Sequence, residues 1–348
     1  MFELVKELCD LPGPGGYEDQ VQAFVARSLR NAGCREVAAT PFGNVMAKVG
    51  GRGKRAVLVA HADEIAVTVR SVTEDGFLLL MAGGGPIASR MPPSPVLAGQ
   101  HCLVMTPQGT APGVIGGRTG HLRSAAHREG EGLGWDEVFV DLGFRSRAEA
   151  EEQGVHPGAA VIWNPPPTRR LGANIVGKAM DDRAALAVAI EVARRAAPAE
   201  LGYEVWIAST IQEEGGLIGA GGLGRDYDLA IAIDVGLVGD VPGISSEEMP
   251  CALGKGPAIV HKDASVRYHR HLTQALVAVA GEARVPVQHV AFLNYSSDAA
   301  ALLKNGIPAA LVCYPTRYTH SPIETVREQD LEDTVRLLCA FCERAPFG

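Results

Sequence analysis

Four short apolar runs constrain what this chain can fold into more than any other feature: AVLVA at residues 56–60, VWIASTI at 205–211, LAIAI at 229–233 and AALVCY at 309–314. Each is a brief stretch of aliphatic, often β-branched side chains cut off by turn or polar residues, the mark of a buried strand. Helical spacing separates them. Tyr17, Val21, Phe24, Val25 and Leu29 recur at helical intervals, and further helices are predicted over Ala184 to Arg195, around His271 to Ala283, and from about Glu328 to Cys342. Strands alternating with helices predict an α/β fold, a mixed, mostly parallel sheet flanked by helices.

Residues 72–166 have another texture. AGGGPIASRMPPSPVLAG, HCLVMTP, GVIGG, EVFVDLG and AAVIWNPPP are short apolar stretches cut by Gly and Pro, which predicts a small β-barrel-like module with its own core. The expected organisation is one α/β domain in two segments, 1–71 and 167–348, interrupted by an inserted β-rich domain at 72–166.

Composition narrows the function. The 348 residues, 47% apolar and 21% charged, suit a soluble globular protein. With 32 basic against 40 acidic residues the net charge is −8, without the basic footprint that nucleic acid requires. No apolar run reaches the roughly 18 to 20 residues that span a bilayer, and MFELVKELCD carries acids where a secretory signal has a basic start, so a cytoplasmic protein with no membrane partner is expected. Seven scattered cysteines argue against a disulfide framework. Cys339 and Cys342 form a CxxC, yet they lie in the helical LLCAFCE and read as a buried helix face. His269-Arg270-His271 opens a polar helix start and reads as solvated surface.

The strand candidates share one property: each ends at, or shortly before, a good metal ligand. AVLVA runs into His61-Ala62-Asp63, VWIASTI into Gln212-Glu213-Glu214, LAIAI into Asp234, and AALVCY into a turn that reaches His320. In an open parallel sheet the carboxyl ends of the strands line one crevice, so these distant groups would converge. Asp181, in GKAMDDR just ahead of a helix, is a fifth candidate. Two imidazoles and three carboxylates suit a pair of divalent first-row ions sharing a bridging carboxylate. Asp63 can accept the proton of the His61 ring nitrogen turned away from the metal, and in Glu213-Glu214 one carboxylate can ligate while the other stays free as a general base. The like-charge pairs Asp181-Asp182 and Glu213-Glu214 are costly unless a cation or Arg183 compensates them.

At this point a resemblance enters. HADEIAV, GKAMDDR, TIQEEGGLIGA, AIDVG with GDVPG, GKGPAI, and GIPAALVCYPTRYTHSPIE resemble, in order and spacing, the signature blocks of the M42 metallo-aminopeptidases, the glutamyl and tetrahedral aminopeptidase group. GVIGG and VDLGFRSRAEAEEQGVHPG extend the likeness more loosely into the insertion. The resemblance implies two divalent ions per subunit, zinc or cobalt, with His61 and Glu214 on opposite ions, Asp181 bridging, Asp234 and His320 completing the shells, and Glu213 as general base. It also implies a cis peptide between Asp181 and Asp182, and an inserted domain that makes dimers, assembled into a hollow tetrahedral homododecamer that admits short peptides. Ala66 and Ala185 stand where relatives often carry Gly. Ser296-Ser297-Asp298 replaces their Gly-Thr-Asp, a segment near the substrate pocket.

The function these readings favour is an aminopeptidase that removes N-terminal residues from short peptides by metal-activated water with a Glu general base. A dinuclear hydrolase of N-acylated peptides or another amide is the alternative, and a non-catalytic, metal-stabilised assembly subunit the second. A glycosidase is disfavoured, because it needs two metal-free carboxyls flanking the bond.

Overall fold

In the computed structural model, which describes residues 1–83, 97–118 and 134–347, the four apolar runs become adjacent strands. The chain opens with α1 (Phe2–Asp10) and α2 (Asp19–Asn31), followed by β1 (Glu36–Ala39), β2 (Val45–Gly50) and β3 (Arg55–His61). Next come β4 (Val67–Val72), β5 (Leu78–Ala82), β6 (His101–Thr106), β7 (Gly109–Gly117), β8 (Val138–Asp141), α3 (Arg147–Glu152) and β9 (Ala160–Trp163). After β10 (Arg169–Leu171) and β11 (Asn174–Gly177) lie α4 (Met180–Ala196), β12 (Glu204–Thr210), α5 (Ile218–Gly221), β13 (Leu229–Leu237), β14 (Ala258–Lys262) and α6 (Arg270–Glu282). The last elements are β15 (Gln288–Ala291), α7 (Asp298–Lys304), β16 (Ala309–Arg317), β17 (Glu324–Arg327) and α8 (Glu328–Arg344).

Among the described residues one sheet of 11 strands runs β1-β2-β12-β3-β13-β16-β17-β11-β10, with β14 paired to β16 and β15 to β14. Its centre, β12-β3-β13-β16, is parallel, and antiparallel strands continue it on either side. Alternate residues of the central strands feed two cores, as a pleated strand requires. On one face Leu58, Ile231 and Val312 pack with α1, α2, α4, α6 and α8; on the other Val57, Ala230 and Leu311 pack with α5 and α7. Both faces are covered, so these strands read as unbroken apolar runs rather than alternating ones. Helix α4 is buried from Met180 to Ile190, its alanines letting it lie between the sheet and α8.

The predicted β module is a closed barrel, β4-β5-β8-β7-β6-β9, around Val67, Val69, Leu78, Leu80, Val104 and Ile115. It leaves the sheet after β3 and returns before β10. Parts of the 72–166 segment, residues 84–96 and 119–133, lie outside the described residues. Cys339 and Cys342 are buried in α8, and burial pushes their thiols up, Cys339 to about 11. His269 caps α6 by accepting from the Leu272 amide, while Arg270 and His271 are exposed. Among the described residues no helix is long and apolar enough to cross a membrane.

Candidate metal centre

The parallel register brings the predicted ligands together. His61 is the last residue of β3 and lies opposite Thr210 of β12, while Asp234 of β13 lies opposite Cys313 of β16. Past Thr210 the chain turns through Gln212 at φ +50 into Glu213-Glu214. That turn is held close to the strand because a β-carbon at Gly219 would lie 2.5 Å from the main-chain N and O of Ile211. Beyond β16 the chain reaches His320 at φ +59. Asp181 and Asp182 precede the regular part of α4 with non-helical backbone, and the peptide between them is cis.

Among the described residues the potential donor atoms form two groups, each spanning at most 4.8 Å: His61, Asp181, Asp182 and Asp234 in one, and Asp181, Glu214 and His320 in the other. Asp181 belongs to both. Its Oδ1 lies 3.1 Å from His61 Nε2 and its Oδ2 3.4 Å from His320 Nε2, while Glu214 Oε1 also lies 3.4 Å from His320 Nε2. Asp182 joins the first group by position only. Its Oδ2 accepts from the His61 amide at 3.1 Å and its Oδ1 from the Tyr314 hydroxyl at 2.6 Å, so both oxygens are already occupied.

Asp63 does more than orient an imidazole. The His61 Nδ1–H donates to the Asp63 main-chain carbonyl at 3.1 Å, and the Asp63 carboxylate, fully buried, is 3.4 Å from the same nitrogen. That carboxylate accepts the amides of Glu213 at 2.9 Å and Glu214 at 3.1 Å. Glu213 is in neither group; its Oε2 lies 3.9 Å from His61 Nε2 of the first, and it precedes Glu214 of the second in the chain.

The electrostatics call for added positive charge. A carbonyl can only accept, so Nδ1 of His61 carries the ring proton and Nε2 turns its lone pair on Asp181 Oδ1. Two acceptors at 3.1 Å need a proton or a metal ion between them. Burial acts against the Asp181 anion, but the His320 and His61 imidazoles outweigh it and hold its carboxyl well below the usual range. Burial, then neighbouring carboxylates, pushes Asp182, Glu213 and Asp234 well up. Glu214 Oε1 is buried without a hydrogen-bond partner. Arg183 does not compensate the Asp181-Asp182 pair. Its guanidinium is turned the other way, donating to the carbonyls of Leu8, Leu11 and Gly13 and lying 3.5 Å from Glu64. Lys178 is likewise spent on Glu64, at 2.7 Å. Imidazole and carboxylate donors with this deficit fit divalent first-row ions.

Of the segment that replaces Gly-Thr-Asp, only Ser296 is partly exposed, hydrogen-bonded to Ser265 at 2.9 Å. Ser297 is buried against the Tyr268 hydroxyl at 3.2 Å, and Asp298 accepts from Thr210 Oγ1 at 2.5 Å, its carboxyl pushed up to about 6 by burial. Sequence reasoning missed Glu324, whose carboxylate accepts the amides of Asp181 and His320. The one available signal was its place four residues beyond His320 in THSPIE.

The chain is similar to known aminopeptidases over nearly its whole length. The family model for M42 glutamyl aminopeptidase matches residues 43–337. A lysyl aminopeptidase of Pyrococcus furiosus is 30% identical over 351 residues, covering 98% of this chain and 96% of that one. A TET aminopeptidase from a marine sediment archaeon of the Thaumarchaeota superposes with a TM-score of 0.91 at 31% identity, over 98% and 95% of the two chains. The TET1 peptidase of Pyrococcus horikoshii, described as assembling into a tetrahedron or a large octahedral shell, gives 0.84 at 28% identity over 98% of each chain.

Proposed function

The chain belongs to the M42 glutamyl aminopeptidase family, and from that premise we propose that it is a cytoplasmic dinuclear-metal aminopeptidase acting on short peptides. The observation that carries the reading is Asp181, common to two donor groups, with Glu213 near His61 of the first and in neither. His61 and Asp234 would hold one ion, Glu214 and His320 the other, and Asp181 both. Zinc or cobalt suits the nitrogen and oxygen donors. Ions in such a site polarise a peptide carbonyl and lower the pKa of water.

The chain's own residues do the rest. Glu213 accepts a proton from the attacking water and returns it to the departing amine, ending the cycle unchanged. In the ion-free chain burial, then neighbouring carboxylates, holds its carboxyl above a free Glu, and bound ions would offset those neighbours. Asp63 is a catalytic partner in that it fixes the Glu213 main chain. Ser296 faces the substrate side chain, with Ser297 and Asp298 behind it.

The barrel, which starts at Val67 with β4 and so a few residues ahead of the expected 72–166, is the inserted dimerisation domain, and Phe77, Met81 and Val114 on or beside its strands are exposed apolar residues suited to a partner. On this reading dimers assemble into a tetrahedral dodecamer; what supports assembly is a TET1 structure described as a dodecamer and another described as a tetrahedron or large octahedral shell. Seven free, buried cysteines fit the reducing cytoplasm.

The test is a panel of aminoacyl anilides, free and N-acetylated, each run with chelator and with re-added zinc or cobalt. Free substrates should be cleaved, acetylated ones spared, and activity lost to chelator and restored by metal. Cleavage confined to the acetylated set would replace this reading with a blocked-peptide hydrolase. Two bound ions with no cleavage at all would replace it with an assembly subunit.

A further inference from the structure

Glu324 has no part in the roles assigned above, yet among the described residues no other side chain accepts the main-chain amides of both Asp181 and His320. It is the first residue of β17, in register with Gly177 of β11, and 2% exposed. One oxygen, Oε2, accepts the Asp181 amide at 2.9 Å; the other, Oε1, accepts the His320 amide at 3.0 Å. Both recipients need such a hold. His320 sits at φ +59, a conformation costly for a residue with a β-carbon, and Asp181 lies at ψ 102, outside the helix that follows it. The ligand candidates peculiar to the first group are braced separately. The His61 amide is taken by Asp182, which Tyr314 fixes, and Asp234 lies within β13.

We propose that Glu324 is a positioning residue of the metal centre: its carboxylate holds Asp181 and His320 in one spatial register and so sets the affinity of the site they form with Glu214. The inference rests on the two-ion reading of the centre. It differs from the usual bracing of a metal ligand, because Glu324 grips main-chain amides and leaves the ligating side chains free to turn toward the ion. A rigid strand, paired on both sides, supplies the anchor.

Zinc or cobalt titration of the chelator-treated full chain tests it, with stoichiometry and both affinities read by calorimetry. In E324Q the amide keeps one acceptor oxygen and turns an NH2 group toward the second main-chain donor. The unaltered protein should take two ions. E324Q should lose about 10- to 100-fold in one affinity and clearly less in the other, which shares only Asp181 with Glu324, with kcat falling and KM little changed. E324D, which retains two acceptor oxygens on a shorter arm, should recover part of the loss. Equal affinities in E324Q and the parent would overturn the proposal. So would an equal loss at both sites, which would mark Glu324 as a general support of the fold. Should E324Q fail to fold by circular dichroism, the same titration of E324D decides, and parental affinities there also overturn it. If the unaltered chain takes fewer than two ions, the reading of the centre fails first, before any variant is compared.

Discussion

The sharpest consequence of the geometry concerns Asp63→Asn. The fully buried Asp63 carboxylate accepts two amides, from Glu213 at 2.9 Å and Glu214 at 3.1 Å. An asparagine side chain has one acceptor oxygen, so its NH2 must confront the other amide. The change removes one charge-assisted bond, about 1.5–3 kcal/mol, and leaves a buried N–H unsatisfied, about 1–3 kcal/mol. A combined loss of about 2.5–6 kcal/mol, felt by the loop that carries Glu213, corresponds to a fall in kcat/KM on the order of 10²- to 10⁴-fold. The His61 ring should be spared, because its Nδ1–H donates to the Asp63 main-chain carbonyl, which the substitution keeps. Two ions should therefore still bind. The assay is initial-rate kinetics on a cleaved aminoacyl anilide, paired with elemental analysis of the same sample and urea unfolding. Kinetics within about threefold of the parent, with both ions present, would refute the reasoning. Loss of an ion with normal turnover on re-saturation would show instead that the carboxylate serves the His61 ring.

Three further outcomes follow from the same contacts. Glu213→Gln should lower turnover by about 10²- to 10⁴-fold while elemental analysis still finds two ions; unchanged turnover would rule out the base assignment. The imidazoles of His61 and His320 are held above their ordinary value of 6.5, and burial raises Asp182, Glu213 and Asp234 likewise. Groups with raised folded values bind more protons in the folded chain, so their stabilisation, complete at low pH, is lost as pH rises through those values. Asp181, held low, acts with the opposite sign as pH falls. Chelator-treated protein should thus melt lower at about pH 8 than at about pH 6, and added zinc should raise Tm more at the higher pH, since protons and ions compete; an equal rise would contradict this. Lys178→Met strands Glu64, now paired at 2.7 Å in the interior, and should lower urea stability by about 3–5 kcal/mol; a change below about 1 kcal/mol would show that Arg183 suffices.

How much of this could be read along the chain depended on distance. The central strands were legible because burial on both faces leaves an unbroken apolar run, and four of the five ligand candidates stood out because they lie at or shortly beyond the end of such a run. The short outer strands β10, RRL, and β11, NIVG, left no periodic trace. Helix α4 was read from Ala184, although it is assigned from Met180, because Asp181 and Asp182 are not helical. Arg183 looked like the neutraliser of its neighbours, yet adjacency along a helix start says little about direction, and it points to the Leu8–Gly13 loop. Glu324 stayed hidden because its partner Asp181 is 143 positions away and the bond is to main chain. No residue pattern records which amide a carboxylate accepts.

Those amide bonds explain why the centre holds more acids than two ions need. The main-chain N–H groups of five site residues each donate to a carboxylate of another: His61 to Asp182, Asp181 and His320 to Glu324, Glu213 and Glu214 to Asp63. Three carboxylates thus fix the backbone of every proposed ligand and base except Asp234, which β13 holds. Their oxygens are spent on donors, and in Asp182 both are, so a place within the first donor group does not make it a ligand. Asp181 and Glu214 are the contrary case. Asp181 turns its oxygens on two imidazole nitrogens and Glu214 keeps Oε1 without a hydrogen bond. Counting acids would rank all of these alike; asking where each oxygen's hydrogen bond comes from separates those that hold the frame from those left to hold a cation. By that rule replacement of Asp63, Asp182 or Glu324 acts through geometry, and replacement of Asp181 or Glu214 removes a donor atom outright.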